Sequence, residues 1–354
     1  MRTPRARWEA PVSGAGGAKG AIVVGDRILT TRTVRDASRA QVVLAEGADG
    51  GRIWRDVGTI VATEAGDPHD IGDGCLLAPR AAEWWYAYRD NHPSGDAPWF
   101  AIRVRTSRDR GRTWENHSTV ATSTGARRGL WSPFLARLRN GRIACLHDDE
   151  DLPFAAGFPG HQWLAMRVWD EDDKAWRAPS VVSRAHSPRH LSRDGMGSLI
   201  DCGGGRLLTV LESVGTDALH ASVVRSVRSD DGGATWSWSR RERELVHAAD
   251  RPRFSAYAPW ATAFPGGWIA CVFTSNESQA DPDAPATPAH RLHGDVLLCW
   301  SRDEGKSWSR PEVVHRGGGR NYMPQLLPLG NGRLALLLLD FAADTFVCVP
   351  GRLA

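Results

Sequence analysis

The chain has 354 residues, with 44 basic against 41 acidic side chains and a net charge of +3, a balance too even to suggest a nucleic acid or an anionic membrane as partner. No stretch approaches the ~20 apolar residues of a membrane span, and no apolar core follows the basic N-terminal segment, which predicts no signal peptide and a cytoplasmic protein. The six cysteines are scattered, several inside apolar runs (Cys145, Cys271, Cys299), and none forms a C-x-x-C pair; they read as small strand residues in a reducing compartment, not as disulfides or metal ligands.

Along the chain, short apolar segments alternate with clusters of Gly, Pro and Asp, and none carries helical periodicity with caps. A first inner strand is expected near Ala21, and the segment GADGGRIW closes the unit at Trp54. Further inner strands are expected near Ile71, Phe134, Ser198, Ala261 and Leu326. Between them run strand-like segments such as RIACLH, RLLTVLE, GWIACVFT, DVLLCW and RLALLLLDF. Three segments fit S-x-D-x-G-x-[ST]-W: Ser107 to Trp114, Ser229 to Trp236 and Ser301 to Trp308. GADGGRIW and WDEDDKAW are weaker copies, and the five tryptophans, Trp54, Trp114, Trp176, Trp236 and Trp308, are spaced 60, 62, 60 and 72 residues apart. The loop-like stretch Asp281 to Asp295 accounts for the long period.

The residue types of the repeat explain one another. Aspartate accepts hydrogen bonds from turn N–H groups, glycine takes the positive φ of a tight turn, and tryptophan anchors a thin sheet. A period near sixty residues holds about four short strands, which is one propeller blade. The prediction is an all-β fold: a six-bladed β-propeller of four-stranded antiparallel blades, spanning 1–354 as one domain and closed by strands from both ends of the chain.

The repeat resembles the Asp box of the sialidase superfamily, and the order of several segments is similar to glycoside hydrolase family 93, the exo-arabinanase-like propellers. HDIGDGCLL with WWYAYRDNH, LWSPFLARLRNGRIACLHDDED, and SRDGMGSLIDCGGGRLLTVLES carry that likeness. The resemblance implies a central funnel as the site, with the Asp boxes on the opposite face, so that Asp109, Asp231 and Asp303 are structural. It implies that Glu212 falls on one of the family's two catalytic glutamates, and that Asp70, Arg89, Arg193 and Asp194 surround the funnel. The other catalytic glutamate falls on Ser132, which is no carboxyl acid. The arginine-isoleucine-proline signature of true sialidases is missing, although Tyr322 lies roughly where they keep a nucleophilic tyrosine.

Residue types at strand ends extend the candidate set. Glu212 ends LLTVLE, and Asp148 to Asp151 follow RIACLH, where Asp148 is the first substitute for the missing acid. Asp70 follows His69 at the start of an inner strand and is the other candidate acid. Trp131, Tyr257 and Trp260 offer aromatic platforms, while Arg89, Ser132, His147, Arg193, Asp194, Arg320 and Tyr322 are expected to contact substrate. No cofactor is expected, and HRLH (His290 to His293) lacks the further ligands of a metal site. The leading function is a glycoside hydrolase-type enzyme acting on a glycan end or a small glycoside, with Glu212 as nucleophile or base and little hydrolysis of arabinan. A lyase or natural-product enzyme using His147, Arg89 and Tyr322, and a non-catalytic carbohydrate-binding propeller, are the alternatives.

Overall fold

A computed structural model describes residues 3–17, 19–67, 69–94, 96–215, 220–240, 243–250, 254–278, 294–316, 321–340 and 345–354. These form six antiparallel sheets arranged in a ring as the blades of a β-propeller. Blade I spans 22–62, blade II 70–124, blade III 130–183, blade IV 193–247, blade V 256–315 and blade VI 321–353. The six innermost strands start at Ile22, Asp70, Leu130, Arg193, Ala256 and Asn321, within a few residues of the starts expected from the sequence. In blade VI the outermost position is taken by Ala6–Trp8, which pairs with Thr345–Leu353, so the two ends of the chain share one sheet.

The apolar pattern explains the layering. Second strands such as Ile143–Asp149 are buried at every residue and Arg206–Val214 at all but its ends, because each lies between two neighbouring blades. Outer strands such as Glu312–His315 bury little more than one residue. Continuous apolar runs therefore mark the inner layers and mixed runs the rim. No helix of the described residues is long and apolar enough to cross a membrane.

The repeated turns are alike in detail. Asp109 Oδ1 accepts the N–H groups of Arg112 (3.0 Å) and Thr113 (2.9 Å), and Ser107 Oγ accepts that of Gly111 (2.7 Å). Asp231 and Asp303 accept the N–H groups of Thr235 and Ser307 in the same way. Trp54, Trp114 and Trp236 each donate their indole N–H to the carbonyl of the glycine three residues earlier. Gly111, Gly233 and Gly305 have positive φ, and a Cβ there would strike Leu44, Met166 and Leu208 of the preceding blade. Glycine is thus needed both for the turn and for blade-to-blade contact. Each turn follows a third strand, whose direction puts it at the end of the ring opposite the start of the inner strands. Trp176 departs from the set: it lies in a two-residue strand and donates to Ser118 Oγ at 2.9 Å.

Candidate active site

Five of the six inner strands begin with the same irregularity. Asp73, Ser132, Met196, Ala258 and Met323 all take φ between 47° and 52°, and at each the register slips so that two residues oppose one. These are β-bulges, and each is followed by Gly or Pro (Gly74, Pro133, Gly197, Pro259, Pro324). The bulges of adjacent blades meet at one end of the ring, where the resemblance places the funnel.

Just before each bulge the register pairs a residue of the inner strand with one on the second strand: Gly72 with Arg89, Trp131 with Asp148, Gly195 with Glu212, Tyr257 with Thr274 and Tyr322 with Leu339. Arg89, Asp148 and Glu212 are therefore equivalent positions of three consecutive blades. Asp148 accepts the N–H of Met196, the bulge of the next blade, at 3.1 Å and 3.2 Å on its two oxygens. Glu212 Oε2 accepts the N–H of Ala258, again the next blade's bulge, at 2.8 Å. Gly195 makes room for this, since a Cβ there would lie 2.5 Å from Asp148 Oδ2.

A charged cluster completes this half of the funnel. Asp73 lies 3.2 Å from Lys19 Nζ and 3.0 Å from Arg89 Nη1, and it accepts the hydroxyl of Ser132 at 2.9 Å. Burial pushes the Asp73 carboxyl up, but Lys19, Arg89 and the Ser132 hydroxyl outweigh it and hold it below the usual value. Asp148 has the opposite fate. Burial drives its carboxyl well above 3.8, against the pull of Lys19 and the Met196 N–H, and the charges of Asp73 and Glu212 push the same way. This end of the ring thus holds a carboxyl whose proton is bound more tightly than usual, beside two further carboxyl groups. The other side is apolar: Met196, Tyr257 and Ala258 are buried together, with Tyr322 and Met323 packed against them.

The acidic run after RIACLH divides its work. Asp148 faces the funnel. Asp149 Oδ1 accepts the N–H groups of Asp151 and Leu152 at 2.8 Å and starts the helix Asp151–Ala155. Glu150 accepts from Gly129 N–H at 2.9 Å and pairs with Arg193. Arg193 also donates to Gln162 Oε1 at 2.8 Å, and its side chain is 37% exposed at the rim.

Asp70, Arg89, Trp131, Ser132, Arg193 and Tyr322 gather around the funnel with Asp148 and Glu212, though Asp70 is tied up. Arg35 lies 2.5 Å from it and Arg89 Nε donates at 2.9 Å, leaving it an orienter of Arg89. The Arg89 guanidinium lies 5.6 Å from the Trp131 ring centre. Four candidates lie elsewhere. Asp194 is fully buried, where it pairs with Arg243 at 2.6 Å through both oxygens and accepts the hydroxyls of Ser183, Ser192 and Ser213; it joins blades III and IV. His147 occupies the position opposite the Ser132 bulge, wholly buried inside the blade, because neighbours on a strand point to opposite faces and Asp148 takes the funnel. Tyr257 is fully buried beneath the apolar wall, 5.9 Å from the Tyr322 ring, and Trp260 packs on Phe134, so neither is an open platform. Arg320 and the HRLH segment lie outside the described residues.

Lys19 and Asp73 escaped the sequence reading. Asp73 sits only three residues beyond Asp70, and a Asp-Gly pair at the start of an inner strand, opposite Ser132-Pro133 and Met196-Gly197 in the repeat, was the available signal. Lys19 has none, since its partner is 54 residues away.

No protein-family model matches the chain, and no curated protein matches it in sequence. Solved structures do match in fold. The GH93 α-L-arabinofuranosidase of Fusarium graminearum, in complex with arabinobiose, superposes with a TM-score of 0.67 at 16% identity over 97% of each chain. An α-L-arabinanase of Penicillium chrysogenum, also complexed with arabinobiose, gives 0.64 at 17% over 98% of each chain. A protein of unknown function from Dyadobacter fermentans DSM 18053 gives 0.70 at 14% over 99% of each chain. At such identities the likeness is one of fold: the chain is a six-bladed β-propeller similar to those of glycoside hydrolase family 93.

Proposed function

We propose that the chain is a carbohydrate-active enzyme of the glycoside hydrolase type, acting on a glycan end or small glycoside held in the funnel. The observation that carries this reading is the pair Asp148 and Glu212, set at equivalent positions of adjacent blades, with the Asp148 carboxyl raised by burial and by the charges of Asp73 and Glu212. Glycoside hydrolysis uses one carboxylic acid to protonate the leaving oxygen and a second carboxylate as nucleophile or base. In this reading Asp148 is the acid and Glu212 the second group, so the acid has moved from position 132 to the second strand of the same blade. Ser132 cannot protonate a leaving group; its hydroxyl instead helps keep Asp73 ionised. Lys19, Arg89 and Asp73 bind and orient hydroxyl groups of the sugar, and the wall of Met196, Tyr322 and Met323 receives its apolar face. The arabinobiose bound by the two similar structures supports a sugar as ligand.

The lyase alternative has no comparable support. It needs His147 beside Arg89 and Tyr322, and His147 lies inside the blade.

The test is hydrolysis of a panel of aryl furanosides, pyranosides and uronides by the natural protein, Asp148→Asn and Glu212→Gln. Turnover of at least one glycoside, reduced at least ~10²-fold in both variants, is the expected result. Absence of turnover across the panel, or turnover indifferent to both substitutions, overturns the reading.

A further inference from the structure

Outside the funnel floor, one cluster of side chains brings two imidazoles and a carboxylate together at the rim. His69 ends the connection from blade I to blade II, Asp67 lies two residues before it, and His92 ends the second strand of blade II. His69 Nδ1 lies 3.1 Å from Asp67 Oδ2, and His92 Nε2 lies 3.7 Å from the same oxygen. One ligand atom from each residue lies within 4.8 Å of the others. The second nitrogen of His69 is 2.9 Å from Asp90 Oδ1. A neutral imidazole has a single N–H to donate. With that N–H on Asp90, the Nδ1 lone pair of His69 faces a carboxylate oxygen, and His92 aims a second ring nitrogen at the same place.

We propose that Asp67, His69 and His92 bind one divalent transition-metal ion, with Zn²⁺ the cation their ligand set fits. Metal bonds of ~2.0–2.1 Å in a tetrahedral site put neighbouring ligand atoms ~3.3 Å apart, and the two separations from Asp67 Oδ2, 3.1 Å and 3.7 Å, bracket that distance. Two imidazoles and one carboxylate suit Zn²⁺ better than Ca²⁺ or Mg²⁺, which favour all-oxygen shells. The outer partners have the arrangement metal-bound histidines require. Asp90 accepts from the far nitrogen of His69, which fixes the tautomer with Nδ1 free to ligate. Asp90 is itself held by Arg103 Nε at 2.5 Å. The His69 and His92 rings stack with centroids 3.8 Å apart, and His92 stacks on Trp99 at 4.4 Å; binding turns the two imidazoles out of that stack, since on one tetrahedral ion their centroids lie about 5 Å apart.

The site is partly open, with the side chains of His69, His92 and Asp67 exposed by 15%, 26% and 49%, so a fourth vertex is available to water. It ties the connection from blade I to the end of a blade II strand. Arg35 donates to the His69 carbonyl at 3.1 Å and pairs with Asp70, which orients Arg89. Metal binding therefore stiffens the rim that holds the funnel arginine.

The experiment uses the full-length chain without an affinity tag, stripped with a chelator and then titrated with Zn²⁺ by calorimetry. Metal content is measured after gel filtration. One Zn²⁺ per chain is expected, with a higher melting temperature in its presence. His69→Ala and His92→Ala should lose the stoichiometric ion, and Asp90→Asn should bind it ~10–100-fold more weakly. Circular dichroism establishes that each variant is folded; if His69→Ala is not, Asp67→Ser at the exposed ligand carries the same test. No stoichiometric Zn²⁺ uptake by the natural protein, or uptake unchanged in the folded ligand variants, overturns the proposal. The readout is binding, so it stands or falls independently of glycosidase activity.

Discussion

Asp148 and Glu212 do the same backbone work in neighbouring blades: each accepts the N–H of the left-handed bulge residue one blade ahead, Met196 and Ala258 respectively. The propeller repeat thus delivers two carboxyl groups, in register, to the same end of the channel, and burial raises that of Asp148.

Asp148→Asn keeps the shape and removes the proton. Loss of a positioned general acid typically costs ~10²–10⁴-fold in rate. The loss should be greatest for glycosides with poor leaving groups and small for activated aryl glycosides, whose leaving oxygen needs little protonation. Equal losses on both kinds of leaving group, measured as kcat/KM, would assign Asp148 a role other than acid.

The raised Asp148 carboxyl also makes stability depend on pH. A carboxyl whose folded pKa exceeds its unfolded value binds its proton more tightly in the native state. Its contribution is full below the ordinary value of 3.8 and is lost as pH rises toward its folded value. Asp148→Asn lacks that loss. The melting temperature of the variant, relative to the natural protein, should therefore rise as the pH is taken from about 4 to 8. A difference that stays flat over this range would contradict the raised Asp148 carboxyl.

Lys19→Met tests the charge cluster. Lys19 pulls Asp148 down and helps hold Asp73 ionised. Its removal should raise Asp148 further and move the high-pH fall of kcat/KM to higher pH. The side chains of Lys19 and Asp73 are each only 7% exposed, and breaking a buried pair from one side costs about 3–5 kcal/mol. Arg89 remains beside Asp73, so the destabilisation seen in urea unfolding should fall at the lower end of that range.

Asp194 and Arg243 serve as the structural contrast. Both are buried and paired through two oxygens. Asp194→Asn should lower stability by about 3–5 kcal/mol, because it breaks a buried ion pair from one side. The pH profile of any remaining activity should be unchanged. A displaced profile would bring Asp194 back into the site.

Much of this fold is legible in the sequence because its defining interactions are local. The turn from Ser107 to Trp114 makes its hydrogen bonds within eight residues, so Ser, Asp, Gly and Trp at fixed offsets announce it wherever it recurs. The buried second strands show as unbroken apolar runs, and Glu212 and Asp148 stand out as acids at the ends of such runs. What tertiary structure alone decided is which way each polar residue points and what it meets. His147 and Asp148 are neighbours in one strand, and the sheet sends one into the blade and the other to the funnel. The bulge at Asp73 shifts the register by one residue and makes that residue, and not Asp70, the partner of Ser132. His69 meets His92 because the hairpin register sets Asp70 against Asn91, whereas Lys19 meets Asp73 across a separation that leaves no periodic trace, because packing blade on blade brings together residues whose spacing along the chain is set by loop lengths and not by any strand or turn geometry.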